Sequence, residues 1–110
     1  MSPESVQFDA LRALHQQCHL IKEGGVAMAL LEGLPFRAAD RDWKMDLLLY
    51  PAQHSGYTSR LFFQEQIAGR GANWNRFRLA ERDWWSPSWQ SVPASLPWPK
   101  MLAAHLRGVA

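Results

Sequence analysis

The spacing of apolar residues changes along the chain, and each change predicts a different element. From Pro3 to Lys22, the residues Phe8, Leu11, Leu14, Cys18 and Ile21 recur at steps of three and four. That spacing puts them on one face of a helix, with Asp9, Arg12, Gln16 and Glu23 on the other side. Ser2 stands as N-cap with Pro3 at the first helical position, and Gly24-Gly25 stops the run. A surface helix is predicted over 3–22. Beyond the glycines the period drops to two. Val26, Met28 and Leu30 alternate with Ala27, Ala29 and Leu31 in a strand ending near Gly33, and Trp43, Met45, Leu47 and Leu49 alternate with Lys44, Asp46, Leu48 and Tyr50 in a second. Leu34-Pro35-Phe36 and Asp40-Arg41-Asp42 connect them as a hairpin. Pro51 closes the second strand, His54-Ser55-Gly56 supplies turn chemistry, and Arg60 to Ile67 reads as a third strand.

Gly69-Arg70-Gly71 opens a segment without period. Five of the six tryptophans fall between Trp74 and Trp98, interleaved with Pro87, Pro93 and Pro97. A buried indole removes roughly 200 Å² from water, and proline fixes its own φ. This stretch is therefore expected to be an irregular but built loop packed on the domain. Trp98 to Arg107 closes the chain as a helix. The chain reads as free of internal repeats and low-complexity tracts. The order predicts one α+β domain over residues 1–110: a helix, a three-to-four-stranded antiparallel meander, a long Trp/Pro-rich irregular segment and a C-terminal helix that helps cover the sheet.

Composition narrows the class. With 47% hydrophobic and 20% charged residues, the chain has the make-up of a globular domain. A net charge of +2 is too small to imply nucleic acid by itself. The single cysteine, Cys18, excludes an internal disulfide framework and suits a reducing compartment. Met1-Ser2-Pro3-Glu4 lacks the basic and apolar regions of a signal peptide, and no apolar run reaches membrane-spanning length. The expectation is a cytoplasmic protein.

Leu48-Leu49-Tyr50-Pro51 and Gly56-Tyr57 with Leu61-Phe62-Phe63, then Trp85-Ser86-Pro87 followed by Leu102, Leu106 and Val109, run in an order that resembles the ubiquitin-conjugating enzyme (UBC) superfamily, in a compact prokaryotic form. The resemblance implies an N-terminal helix, a meander, a Tyr-Pro turn, a long segment bearing a catalytic cysteine, and a Trp-Ser-Pro element before a helix. In active relatives the cysteine precedes Trp-Ser-Pro by about eight residues, which lands here on Phe77, with Asn73 and Asn75 as neighbours. A phenyl ring cannot carry a thioester. The His-Pro-Asn tripeptide that supports the oxyanion is also missing. The resemblance thus implies a non-catalytic member that binds a ubiquitin-like protein or its activating enzyme without a cofactor. By the same analogy, Arg12, Gln16 and Lys22 on the first helix and Lys44, Asp46 and Leu48 facing outward from the sheet are the expected partner surfaces.

Other chemistry carries less weight. Cys18 on the apolar helix face reads as a buried thiol. His15 and His19, one helical turn apart, make half a metal site at most, so no metal is expected. His54-Ser55 lacks the strand–turn–helix setting of a nucleophile elbow. Asp40, Asp42 and Asp46 read as a solvated face. The main alternative is a single-stranded nucleic-acid module, because Arg70, Trp74, Arg76, Phe77, Arg78, Arg82, Trp84 and Trp85 interleave cations with stacking rings in segment 70–89. Glu81 and Asp83 break that run, and the rings serve equally well as core.

Overall fold

The computed structural model describes residues 3–54, 57–67, 73–88 and 92–109. Ser2, Ser55, Gly56, Gly69, Arg70, Gly71 and Trp89, which entered the expectations above, lie outside them. Helix α1 (Pro3–Leu14) leads into six strands: β1 (Cys18–Glu23), β2 (Val26–Ala38), β3 (Arg41–Tyr50), β4 (Arg60–Phe63), β5 (Asn73–Leu79) and β6 (Arg82–Ser88). Helix α2 (Trp98–Val109) follows. The strands form one antiparallel sheet in the order β1-β2-β3-β4-β6-β5.

The α+β class, the two terminal helices and the presence of a β2–β3 hairpin agree with the sequence, but β2 does not end near Gly33: residues 34–38 stay paired with β3, and Ala39-Asp40 alone make the turn. The first helix does not run to residue 22. It ends at Leu14, and the segment from Cys18 joins β2 in the register Cys18↔Leu31 to Glu23↔Val26. Gly24 and Gly25, with φ of +58° and +81°, are a two-residue hairpin turn rather than a helix stop. A turn with both central residues at positive φ matches the natural twist of paired strands and suits Gly-Gly. Once it forms, the residues before it are drawn into a ladder. Cys18 is consequently a strand residue, and Leu14, expected on the core face, is 70% exposed.

The second correction concerns the tryptophan-rich segment. Asn73–Leu79 and Arg82–Ser88 pair from Asn73↔Ser88 to Leu79↔Arg82, so much of the stretch expected to be irregular is a regular hairpin. It raises the strand number among the described residues to six. It also exposes a repeat that a first reading of the sequence does not show. Phe36-Arg37-Ala38-Ala39-Asp40-Arg41-Asp42-Trp43 and Phe77-Arg78-Leu79-Ala80-Glu81-Arg82-Asp83-Trp84 agree at six of eight positions, and each straddles a hairpin tip. The third expected strand is shorter than read, ending at Phe63.

The sheet buries both faces. Leu31, Leu47, Leu49, Leu61 and Phe63 point to one side and meet Leu11 of α1 and Trp98, Met101 and Leu102 of α2. Met28, Leu48 and Phe62 point to the other side, where Trp84 covers them with help from Phe77, Leu79 and Tyr50. The β5–β6 hairpin reaches that second face because β6 pairs with β4 only at Phe63↔Trp85 and then runs across the sheet. Its tip is held by Ala80 N–H donating to Glu23 Oε2 at 2.6 Å, and its flank by Arg82 Nη1 to Asp46 Oδ2 at 3.0 Å. Strand β4 is buried at every position as a result. A bulge between Leu31 and Leu34 bends β2; Gly33 there adopts φ +58° and donates its N–H to Asp46 Oδ1 at 2.8 Å.

Candidate functional site

Among the described residues, the buried polar side chains gather where β4 meets β6 and α2. Ser59, Arg60, Ser86 and His105 are each at least 94% removed from solvent. Ser59 Oγ lies 3.0 Å from His105 Nε2, a spacing suited to a nucleophile and its base. The donors decide otherwise. Ser59 spends its one hydroxyl proton on Val92 O at 2.7 Å, an acceptor it shares with Thr58 Oγ1. His105 Nε2–H must then donate to Ser59 Oγ, the reverse of what activates a serine. Burial holds the His105 pKa down at about 4, with the charge of Arg60 adding to the effect, so the ring is neutral at pH 7. The void lined by Tyr57, Ser59, Arg60, Ser86 and His105 has a volume of about 10 Å³, room for one water and no substrate. This cluster pins α2 and the segment around Val92 to β4.

Arg60 is the more unusual member. Nε donates to Ser86 Oγ at 3.2 Å and Nη2 to Pro87 O at 3.5 Å, while Ser86 Oγ donates to Leu61 O at 3.0 Å. No carboxylate among the described residues pairs with it. Aromatic faces surround it instead: its guanidinium carbon lies 4.6 Å from the ring centroids of both Tyr57 and Phe77 and 5.7 Å from Phe62. Phe77 also packs edge-on against Phe62 at 5.5 Å and His54 at 5.3 Å. The residue at the expected nucleophile position is therefore a half-buried strand residue that closes an aromatic cage on a buried cation. Asn75 is exposed on the same strand opposite Ser86, and Asn73 stands opposite Ser88. No family model, curated protein or solved structure matches the chain.

The expected partner residues do not share one surface. Arg12 on α1 and Gln16 in the α1–β1 link line an open groove of about 580 Å³ with Asp9, Ala13, Gln17 and His19. Lys22 belongs to β1, not to the first helix, and faces a separate groove of about 360 Å³ beside Ala80 and Glu81. Lys44 is exposed on β3. Asp46 does face outward, but it accepts from Gly33 N–H and Arg82. Leu48 is fully buried in the second apolar layer and is no docking surface. Its cover is the β5–β6 hairpin, in a segment whose sequence suggests a loop.

The remaining candidates take structural roles. His15 and His19 stand in the link and on β1, and their Nε2 atoms bond the Glu32 carbonyl and carboxylate respectively. Among the described residues no three His, Cys, Asp or Glu side chains are gathered for a metal ion. Cys18 is buried, and burial pushes its pKa up to about 11 against the opposing pull of Arg12, so the thiolate is scarce at neutral pH. Of the cation–aromatic run, Trp84 is fully buried and Trp74 packs edge-on against Phe63 at 5.4 Å. Arg78 is tied to Asp83 and Glu81 O, and Arg82 to Asp46. Arg76 stays exposed. No helix is long and apolar enough to cross a membrane among the described residues.

Proposed function

We propose that this chain is a non-catalytic, UBC-like protein-binding component of a prokaryotic ubiquitin-like modification system, docking a ubiquitin-like protein or its activating enzyme. The observation that carries the reading is Phe77. At the position where active relatives are expected to hold a cysteine, its ring instead lies against the Arg60 guanidinium and packs edge-on against Phe62, so the residue serves the core rather than chemistry. Trp85-Ser86-Pro87, the tripeptide behind the resemblance, sits beside it on β6, with Ser86 and Pro87 buried against Arg60. Docking falls to the α1–β1 groove around Arg12 and Gln16, which is open and polar; the second sheet face is occupied by the chain's own hairpin.

The test is a calorimetric titration of the full chain with a prokaryotic ubiquitin-like protein and with its activating enzyme. Micromolar binding, weakened about tenfold or more by Arg12→Glu with Gln16→Glu, is expected, together with no thioester when ATP is supplied. A reducible adduct lost in Cys18→Ala would overturn the non-catalytic reading. Oligonucleotide binding at about 150 mM salt that depends on Arg76 would replace it with the nucleic-acid one.

A further inference from the structure

The two copies of the eight-residue repeat build the same device. In the first, Arg37 Nη1 bonds Asp42 Oδ1 across the hairpin at 3.1 Å and Nη2 bonds Asp40 O at 3.2 Å. Trp43 Nε1 donates to Ala38 O at 2.9 Å, and Arg41 lies 4.1 Å over the Trp43 ring. In the second, Arg78 bonds Asp83 Oδ1 at 3.4 Å and Glu81 O at 3.1 Å. Trp84 Nε1 donates to Leu79 O at 3.0 Å, and Arg82 lies 4.3 Å over Trp84. Both turns place non-glycine residues at positive φ: Ala39 and Asp40 at 51° and 60°, Ala80 and Glu81 at 50° and 63°. The leading phenylalanines even use opposite faces of β4, Phe36 against Phe63 and Phe77 against Phe62.

The copies differ in what they hold. The second tip grips two carboxylates of its own chain: Glu23 on the Ala80 amide and Asp46 on Arg82. The first tip presents the same two donors, the Ala39 amide and the Arg41 guanidinium. Neither meets a carboxylate among the described residues, and Arg41 is exposed. We infer that the β2–β3 tip is the open copy of this carboxylate clamp and docks an acidic segment of a protein partner, one carboxylate on Ala39 N–H and a second on Arg41. The charge match is supplied by the molecule itself, since the closed copy shows which groups such a tip accepts. The β2–β3 tip is separate from the α1–β1 groove, and the inference stands whether or not the UBC-like reading does.

The experiment is an NMR titration of the full-length ¹⁵N-labelled protein with a hexaglutamate peptide, with hexalysine and sodium acetate as controls. Saturable shifts at the Ala39 amide and the Arg41 Nε–H are expected with hexaglutamate alone. Arg41→Gln should weaken them tenfold or more, while Arg76→Gln, which removes another exposed cation, should leave them unchanged. Both variants preserve the hairpin clips, and their spectra report the fold directly. Absence of shifts at Ala39 and Arg41, equal shifts with acetate, or equal loss in Arg76→Gln would each overturn the proposal.

Discussion

Trp84→Ala tests whether the β5–β6 hairpin truly closes the second apolar layer. The ring is fully buried against Met28, Leu48 and Phe62, its N–H is satisfied by Leu79 O, and Arg82 covers its outer surface. Removing roughly 200 Å² of burial at about 25 cal/mol per Å² gives about 5 kcal/mol. Truncations of large buried aromatics measure about 3–5 kcal/mol, with incomplete relaxation of the cavity setting the spread. Against a total stability of about 5–15 kcal/mol, that loss brings the domain close to unfolding. Trp85→Ala, one residue on, removes a partly exposed ring from the residue opposite Phe63 in the β4–β6 ladder and should cost less than half as much. Urea unfolding followed by far-ultraviolet circular dichroism is the suitable assay, because the other tryptophans mask fluorescence changes. A loss below about 1 kcal/mol for Trp84→Ala, or equal losses for the two variants, would refute a closed second layer.

His105 and Cys18 give two further tests. The His105 pKa is held near 4 when folded, against 6.5 for a free histidine. Between these values the unfolded chain binds a proton that the folded chain refuses, so this stability is full above pH 6.5 and lost as pH falls toward 4, at most about 3 kcal/mol. Urea midpoints at pH 7 and pH 5 should differ less in His105→Gln than in the parent; an unchanged difference would remove His105 from the acid response. Cys18, its thiol pushed up to about 11 and buried, should react with iodoacetamide at pH 8 at least tenfold more slowly when folded than in denaturant. Comparable rates would show that the β1–β2 edge opens readily.

The elements legible in the sequence were those with strong period and local punctuation: the β2–β3 hairpin, the hydrophobic β4 and the terminal helices. The failures share a cause. Phe8, Leu11, Leu14, Cys18 and Ile21 fit a helical period, yet Gly24-Gly25 between two apolar runs is also a hairpin signal, and pairing with Val26–Leu31 decides between them. In β5, Asn73-Trp74-Asn75-Arg76-Phe77-Arg78 does alternate, but prolines nearby and Gly69-Arg70-Gly71 drew the reading toward a loop. The repeat offset by 41 residues was the signal that would have corrected it, since its first copy already stood at a recognised hairpin. The burial of Leu48 was not readable from β3 alone, because its cover comes from Trp84, far along the chain. The sequence marks Phe77 only as a position without a nucleophile; its partnership with Arg60 depends on how β5 crosses the sheet.

The repeated hairpin also combines very short and very long chain closures. Each arginine clip joins residues three and five positions apart, so both can close at little loop-entropy cost. The bond from Ala80 to Glu23 spans 57 positions and the ion pair from Arg82 to Asp46 spans 36. Seating the second hairpin on the sheet therefore carries a far larger loop-closure cost than closing either clip. Undocking that hairpin would bare Met28, Leu48 and Phe62 to water together, so a variant that loosens it is expected to aggregate.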